Sequence, residues 1–188
     1  MSPVFLLCDE YLPQWAVLDP VAAGMRGLSG SFGAVTDYSP DGHAARAELI
    51  SRTLAALAVL PDTGLPDTGL PDTGLPDTGL PGTGLPGTGD ADRLAALLLR
   101  ERLEAQAAWH VAGEPLRELR APIGRVSSVR DSVDLLPRGS DEAWRDVAAR
   151  LAGIPVMFAS WRASLDEGLR SGLPAARQIG RASCRERV

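Results

Sequence analysis

Ser39-Pro40-Asp41-Gly42-His43-Ala44-Ala45-Arg46-Ala47-Glu48-Leu49-Ile50-Ser51-Arg52-Thr53-Leu54-Ala55-Ala56-Leu57-Ala58-Val59-Leu60 is the stretch that decides the fold. It opens on a serine able to cap free backbone N–H groups, a proline at the first helical position and an aspartate in the first turn. Ala47, Ile50, Leu54, Leu57 and Ala58 then recur at three-and-four spacing, the period of an amphipathic helix. Pro61 disfavours helical geometry in the residue before it, so the helix is predicted to end at Leu60.

The next segment of chain cannot continue a helix. Residues 60–89 are six tandem pentapeptides, four reading Leu-Pro-Asp-Thr-Gly and two reading Leu-Pro-Gly-Thr-Gly. Each unit carries a proline and a glycine, and one leucine per unit buries too little surface to offset backbone ordering. A turn-rich loop between two helices is expected. The letters match the sorting motif cleaved by sortases, but the repeat is tandem, internal and followed by an amphipathic helix. Wall anchoring is therefore the weakest of the readings.

On the far side, Asp90 can cap a second helix over 91–111. Its main stripe is predicted to be Leu94, Leu97, Leu98, Ala105, Ala108 and Trp109, with Leu99 and Leu103 on the opposite side. Ser140-Asp141-Glu142 starts a third helix with Trp144, Val147, Ala148 and Leu151 inward, ended by Gly153 and Pro155. Pro155 then opens a fourth, with Phe158, Trp161, Leu165 and Leu169 inward. Asp19-Pro20 begins a short helical turn. Before it, a short element around Tyr11, Leu12 and Trp15 is expected to break at Pro13. Val126 to Leu136 is ambiguous, and no segment shows sustained period-two alternation. The consistent fold class is all-α, a partial helical bundle.

The organisation expected is thus a helical segment over 1–59, the repeat loop over 60–89, and a second helical segment of the same domain over 90–178. Residues 179–188, Ile-Gly-Arg-Ala-Ser-Cys-Arg-Glu-Arg-Val, match one reading frame of a common sequencing adapter and are set aside. On that reading the natural chain continues beyond Gln178, and its missing C-terminal part is the expected partner.

Composition narrows the function classes. Net charge is −5, and removing the ending (three Arg, one Glu) leaves −7, which gives no electrostatic footprint for nucleic acid or an anionic membrane. All 19 basic residues are Arg, the mark of a GC-rich gene. Only two cysteines occur, Cys8 and Cys184, and the second lies in the ending, so a reducing, cytoplasmic setting is expected. No apolar run approaches the ~20 residues that span a bilayer.

Chemistry is sparse. The two histidines, His43 and His110, have no second ligand at zinc spacing and there is no His-Glu-x-x-His. His43 in a first helical turn reads as neutral and solvated, and His110 as complementing a helix C-terminus. Gly-Leu-Ser-Gly-Ser-Phe-Gly over 27–33 lacks the Lys-Ser/Thr of a phosphate loop. No catalytic, cofactor-binding or metal residue is assigned.

Several strings nevertheless form an ordered pattern. They are Asp9-Glu10-Tyr11-Leu12, Trp15-Ala16, Leu18-Asp19-Pro20-Val21-Ala22-Ala23, Thr36-Asp37-Tyr38-Ser39-Pro40-Asp41-Gly42, Val129-Arg130-Asp131, Asp134-Leu135-Leu136-Pro137 and Trp161-Arg162-Ala163-Ser164-Leu165. Together the chain resembles the N-terminal region of the bacterial family named domain of unknown function 885, in its actinobacterial form. Two strings depart from that pattern: Pro122-Ile123-Gly124-Arg125 and Gly30-Ser31-Phe32-Gly33-Ala34. The resemblance implies a largely helical, zincin-like metallopeptidase relative whose zinc sits on a C-terminal motif absent here. It implies zinc and a peptide-like substrate for the parent, and no cofactor or catalytic competence for this fragment alone. The alternative is a small helical interaction module with a flexible linker.

Overall fold

Ser39 does what its position requires: its hydroxyl accepts the Gly42 N–H at 3.2 Å, and helix α3 runs Pro40–Ala58. Gly42 is needed there, because a Cβ at that position would lie 2.4 Å from the Asp37 carbonyl oxygen. The computed structural model describes residues 2–28, 32–60, 88–120 and 124–175. Most of the tandem repeat, residues 29–31, residues 121–123 and the ending set aside over 179–188 lie outside those described residues. The described chain is all-α, with no strand among the described residues. Its helices are α1 Pro3–Leu18, α2 Pro20–Met25, α3 Pro40–Ala58, α4 Thr88–Val111, α5 Arg125–Asp134 and α6 Asp141–Arg170, with a 3-10 turn at Glu114–Leu116.

Three helices, α1, α3 and α4, pack against one another on one side. Tyr11, Leu49, Ile50 and Leu103 form the middle of that layer; Val4, Leu57 and Ala96 form its end. A second core joins α2, α5 and α6 around Val21, Tyr38, Val129, Met157 and Trp161. Segment 35–39 crosses between the two. The Tyr38 N–H donates to the Ser160 hydroxyl at 2.9 Å, and the Ser164 hydroxyl donates to the Tyr38 carbonyl at 2.7 Å. Thr36 donates to Asp19 at 2.7 Å and accepts from the Val21 N–H at 3.1 Å. Thr36 and the Tyr38 backbone are thereby paired where the two cores meet.

Four expectations change. Helix α1 does not break at Pro13; one helix with Ser2 as cap runs through it, because Val4 and Tyr11 before the proline and Trp15 and Leu18 after it all pack into the layer with α3 and α4. The third and fourth expected helices are a single α6 running through Gly153 and Pro155. Gly153 is there for closeness, not termination: a Cβ would meet Val35 Cγ1 at 2.1 Å. The seam that α6 buries is Val147, Arg150, Met157, Trp161, Ser164 and Gly168, while Trp144, Leu151 and Leu169 are exposed. Helix α4 faces inward with Ala96 and Leu103, each 1% exposed, and its expected main stripe of Leu94, Leu97 and Leu98 faces outward. The ambiguous stretch is helix α5, whose Val129 enters the second core.

Candidate functional site

The two cores leave a cavity of about 570 Å³ between them, walled by α1, α3, α4 and the start of α5. Tyr11 and Trp15 come from α1, His43 and Arg46 from α3, Trp109 and His110 from the end of α4, and Arg125 from the first turn of α5.

Arg46 organises the floor. It is 8% exposed, and burying a guanidinium is costly unless its N–H groups are used. Nη1 donates to the Leu18 carbonyl at 3.1 Å and the Asp37 carbonyl at 2.9 Å, tying the end of α1 to the loop before α3. Nη2 lies 2.9 Å from His43 Nδ1. A guanidinium only donates, so His43 Nδ1 must accept, and the ring proton of the neutral imidazole sits on Nε2. That Nε2–H is buried and has no hydrogen-bond partner.

His43 is 6% exposed, which corrects the expectation of a solvated side chain. It lies at helical spacing from Arg46, Ile50 and Thr53, so it faces inward with them. Burial pushes its pKa down, Arg46, Arg125 and His110 add repulsion, and Asp37 opposes only weakly, so the value falls from 6.5 to about 3. It is a neutral donor across the ordinary pH range and too weak a base to accept a proton in catalysis. The His110 pKa is also lowered, by burial and then by Arg46. His43 meets Trp109 edge-on at 6.4 Å between ring centroids and His110 at 6.1 Å.

Arg125 closes the other wall. Its guanidinium sits 4.0 Å over the Tyr38 ring and pairs with Glu118, while its Nε–H is buried without a partner. Trp161 holds this corner by donating from Nε1 to the Glu118 carbonyl at 3.2 Å. Arg26 stacks 5.1 Å from the Trp15 ring.

The described side chains lining the cavity include no serine, threonine, cysteine or lysine. They offer N–H donors, aromatic faces and two carboxylates, Asp19 and Glu118, both already engaged within the protein. Zinc finds no seat among the described residues, where no group of three or more His, Cys, Asp or Glu side chains could hold a metal. His43 in addition has Nδ1 occupied by Arg46. No described helix is long and apolar enough to cross a membrane.

The sequence assigned no site residues. Tertiary packing gathers His43, His110, Trp109, Arg46 and Arg125 from three helices; only the i, i+3 pair of His43 and Arg46 and the adjacent Trp109 and His110 are local. Comparison with known families gives a match to bacterial protein of unknown function (DUF885) over residues 20–184. That range holds His43, Arg46, Trp109 and Arg125, and it continues past Gln178 into the Arg-rich ending. A search of curated proteins finds no match.

Proposed function

This chain belongs to the bacterial DUF885 family, and from that we propose that it forms the helical, ligand-holding part of a zinc-dependent, peptidase-like hydrolase whose catalytic residues lie elsewhere in the parent protein. The observation that carries the reading is the cavity itself: aromatic walls, arginines and two unpartnered buried donors, with no serine, threonine, cysteine or lysine lining it among the described residues. A peptide-like substrate suits such a lining, since amide carbonyls accept hydrogen bonds and side chains stack on the aromatic faces. The partner is the rest of the same polypeptide. Trp144, Leu151 and Leu169 on α6 and Leu94 and Leu98 on α4, each about half exposed or more, give it apolar surface to cover.

Extending the source gene in frame past the codon for Gln178 tests this. The expected product carries a downstream His-Glu zinc motif and cleaves peptides only with zinc bound, while the present chain binds the same peptides uncleaved. An immediate stop codon with no such motif defeats the reading. The interaction-module alternative predicts that deleting residues 60–89 abolishes partner capture in a pull-down; unchanged capture removes it.

A further inference from the structure

The cavity has a charge and donor pattern more specific than a general peptide groove. Its lining carries Arg26, Arg46 and Arg125 against Asp19 and Glu118. Both carboxylates are already engaged. Asp19 Oδ1 accepts from the Ala22 N–H at 3.1 Å and from Thr36 at 2.7 Å, and Glu118 pairs with Arg125. What is left over is positive, and what is left unpaired is two buried N–H donors, His43 Nε2 and Arg125 Nε.

Local structure does not account for these two residues. Arg125 is the first residue of α5, where a cation opposes the partial positive charge of the helix N-terminus. No acidic residue occupies that first turn. His43 also stands near a helix N-terminus, that of α3, and is 6% exposed with its only ring acceptor engaged by Arg46. Two helix starts and two unpartnered donors therefore border one cavity. An anion with two acceptor oxygens answers all of these features.

We propose that the cavity recognises a carboxylate on an apolar body, such as the C-terminal end of a peptide, with His43 Nε2–H and Arg125 Nε–H as donors to its oxygens and Trp15 and Trp109 against its side chain. This rests on the reading of the chain as a substrate-holding part of a hydrolase and names the group it holds. A planar carboxylate matches two donors and an aromatic wall; a phosphate has three strong acceptor oxygens to satisfy and no apolar body for the tryptophans. The neutral state of His43 fits the role. A ring that stays unprotonated donates one fixed hydrogen bond, with its orientation set by Arg46.

The test is titration of the full chain with N-acetyl-phenylalanine, N-acetyl-phenylalaninamide and inorganic phosphate, followed by calorimetry and by tryptophan fluorescence. The acid is expected to bind about tenfold tighter than the amide, because only it accepts charge-assisted hydrogen bonds at both oxygens. Arg125→Gln is expected to remove most of that preference, weakening the acid far more than the amide. His43→Gln, which keeps a side-chain N–H, is expected to retain more affinity for the acid than His43→Phe. Circular dichroism confirms that each variant is folded; where His43→Phe is not, the Arg125→Gln comparison decides. Amide bound as tightly as acid overturns the carboxylate assignment and leaves the substrate-holding reading standing. Phosphate bound as tightly as the acid overturns it as well. Binding of none of the three overturns the site, and the gene-extension result then judges the hydrolase reading separately.

Discussion

Lowering the pH should destabilise this protein through His43. The unfolded chain titrates His43 at the ordinary 6.5, and the folded chain holds it at about 3. Between those values the unfolded state binds a proton that the folded state excludes, so stability falls as pH falls and is fully present above 6.5. At pH 7.5 the cost is negligible. At pH 5 it is about 2 kcal/mol, since the unfolded histidine is then almost fully protonated and the folded one is not. For a chain of this length that lowers Tm by about 4–8 °C. Other groups titrate too, and His110 shifts in the same direction. The decisive assay is therefore a difference. Urea unfolding of the wild type and of His43→Gln is measured at pH 7.5 and 5, and the wild type is expected to lose about 2 kcal/mol more between them. Equal losses in the two proteins would refute the inference that His43 is buried and held neutral.

Three further outcomes probe the frame around the site. Arg46→Met leaves the Leu18 and Asp37 carbonyls without their donor and is expected to cost about 2–4 kcal/mol, read as a lower urea midpoint. Gly153→Ala should destabilise by about 1–3 kcal/mol despite alanine's better helix propensity, because its Cβ meets Val35 at 2.1 Å; Val35→Ala in the same chain should restore most of the loss. Leu103→Ala is expected to cost about 3 kcal/mol in chemical denaturation and Leu98→Ala less than about 0.5, since the two leucines are 1% and 49% exposed.

Capping chemistry was legible in the sequence because it is local. Ser39, Asp19 and Ser140 each stand where their side-chain oxygens accept a backbone N–H three residues on, at 3.2, 3.1 and 3.2 Å. The helix breaks placed at Pro13 and Gly153–Pro155 were wrong for one reason. A proline or glycine signal speaks for a single residue's backbone, whereas α1 and α6 are held by side chains packed on both sides of the signal, Val4, Tyr11 and Trp15 on α1 and Val147, Met157 and Trp161 on α6. On α4 the leucine count pointed to the wrong side, since Leu94, Leu97 and Leu98 are exposed. The smaller face, with Ala96 beside Leu103, is the one that lets α1 and α3 approach.

The site was the least legible part. His43 and Arg46 look like ordinary surface residues of the first two turns of a helix, and the feature that sets them apart is the pair of carbonyls Arg46 reaches on other segments. Arg125 carried a faint signal, a cation at a helix start. Its place over Tyr38 and beside Glu118 could not be read without the fold.

Nitrogen-15 NMR of the His43 ring is the sharpest check on a preset donor waiting in the cavity. Free protein should show one neutral tautomer with the proton on Nε2, unchanged from pH 7.5 to 5, and that resonance should move as N-acetyl-phenylalanine saturates the chain. A ring that titrates near 6.5, or an Nε2–H signal indifferent to saturating acid, rules such a donor out.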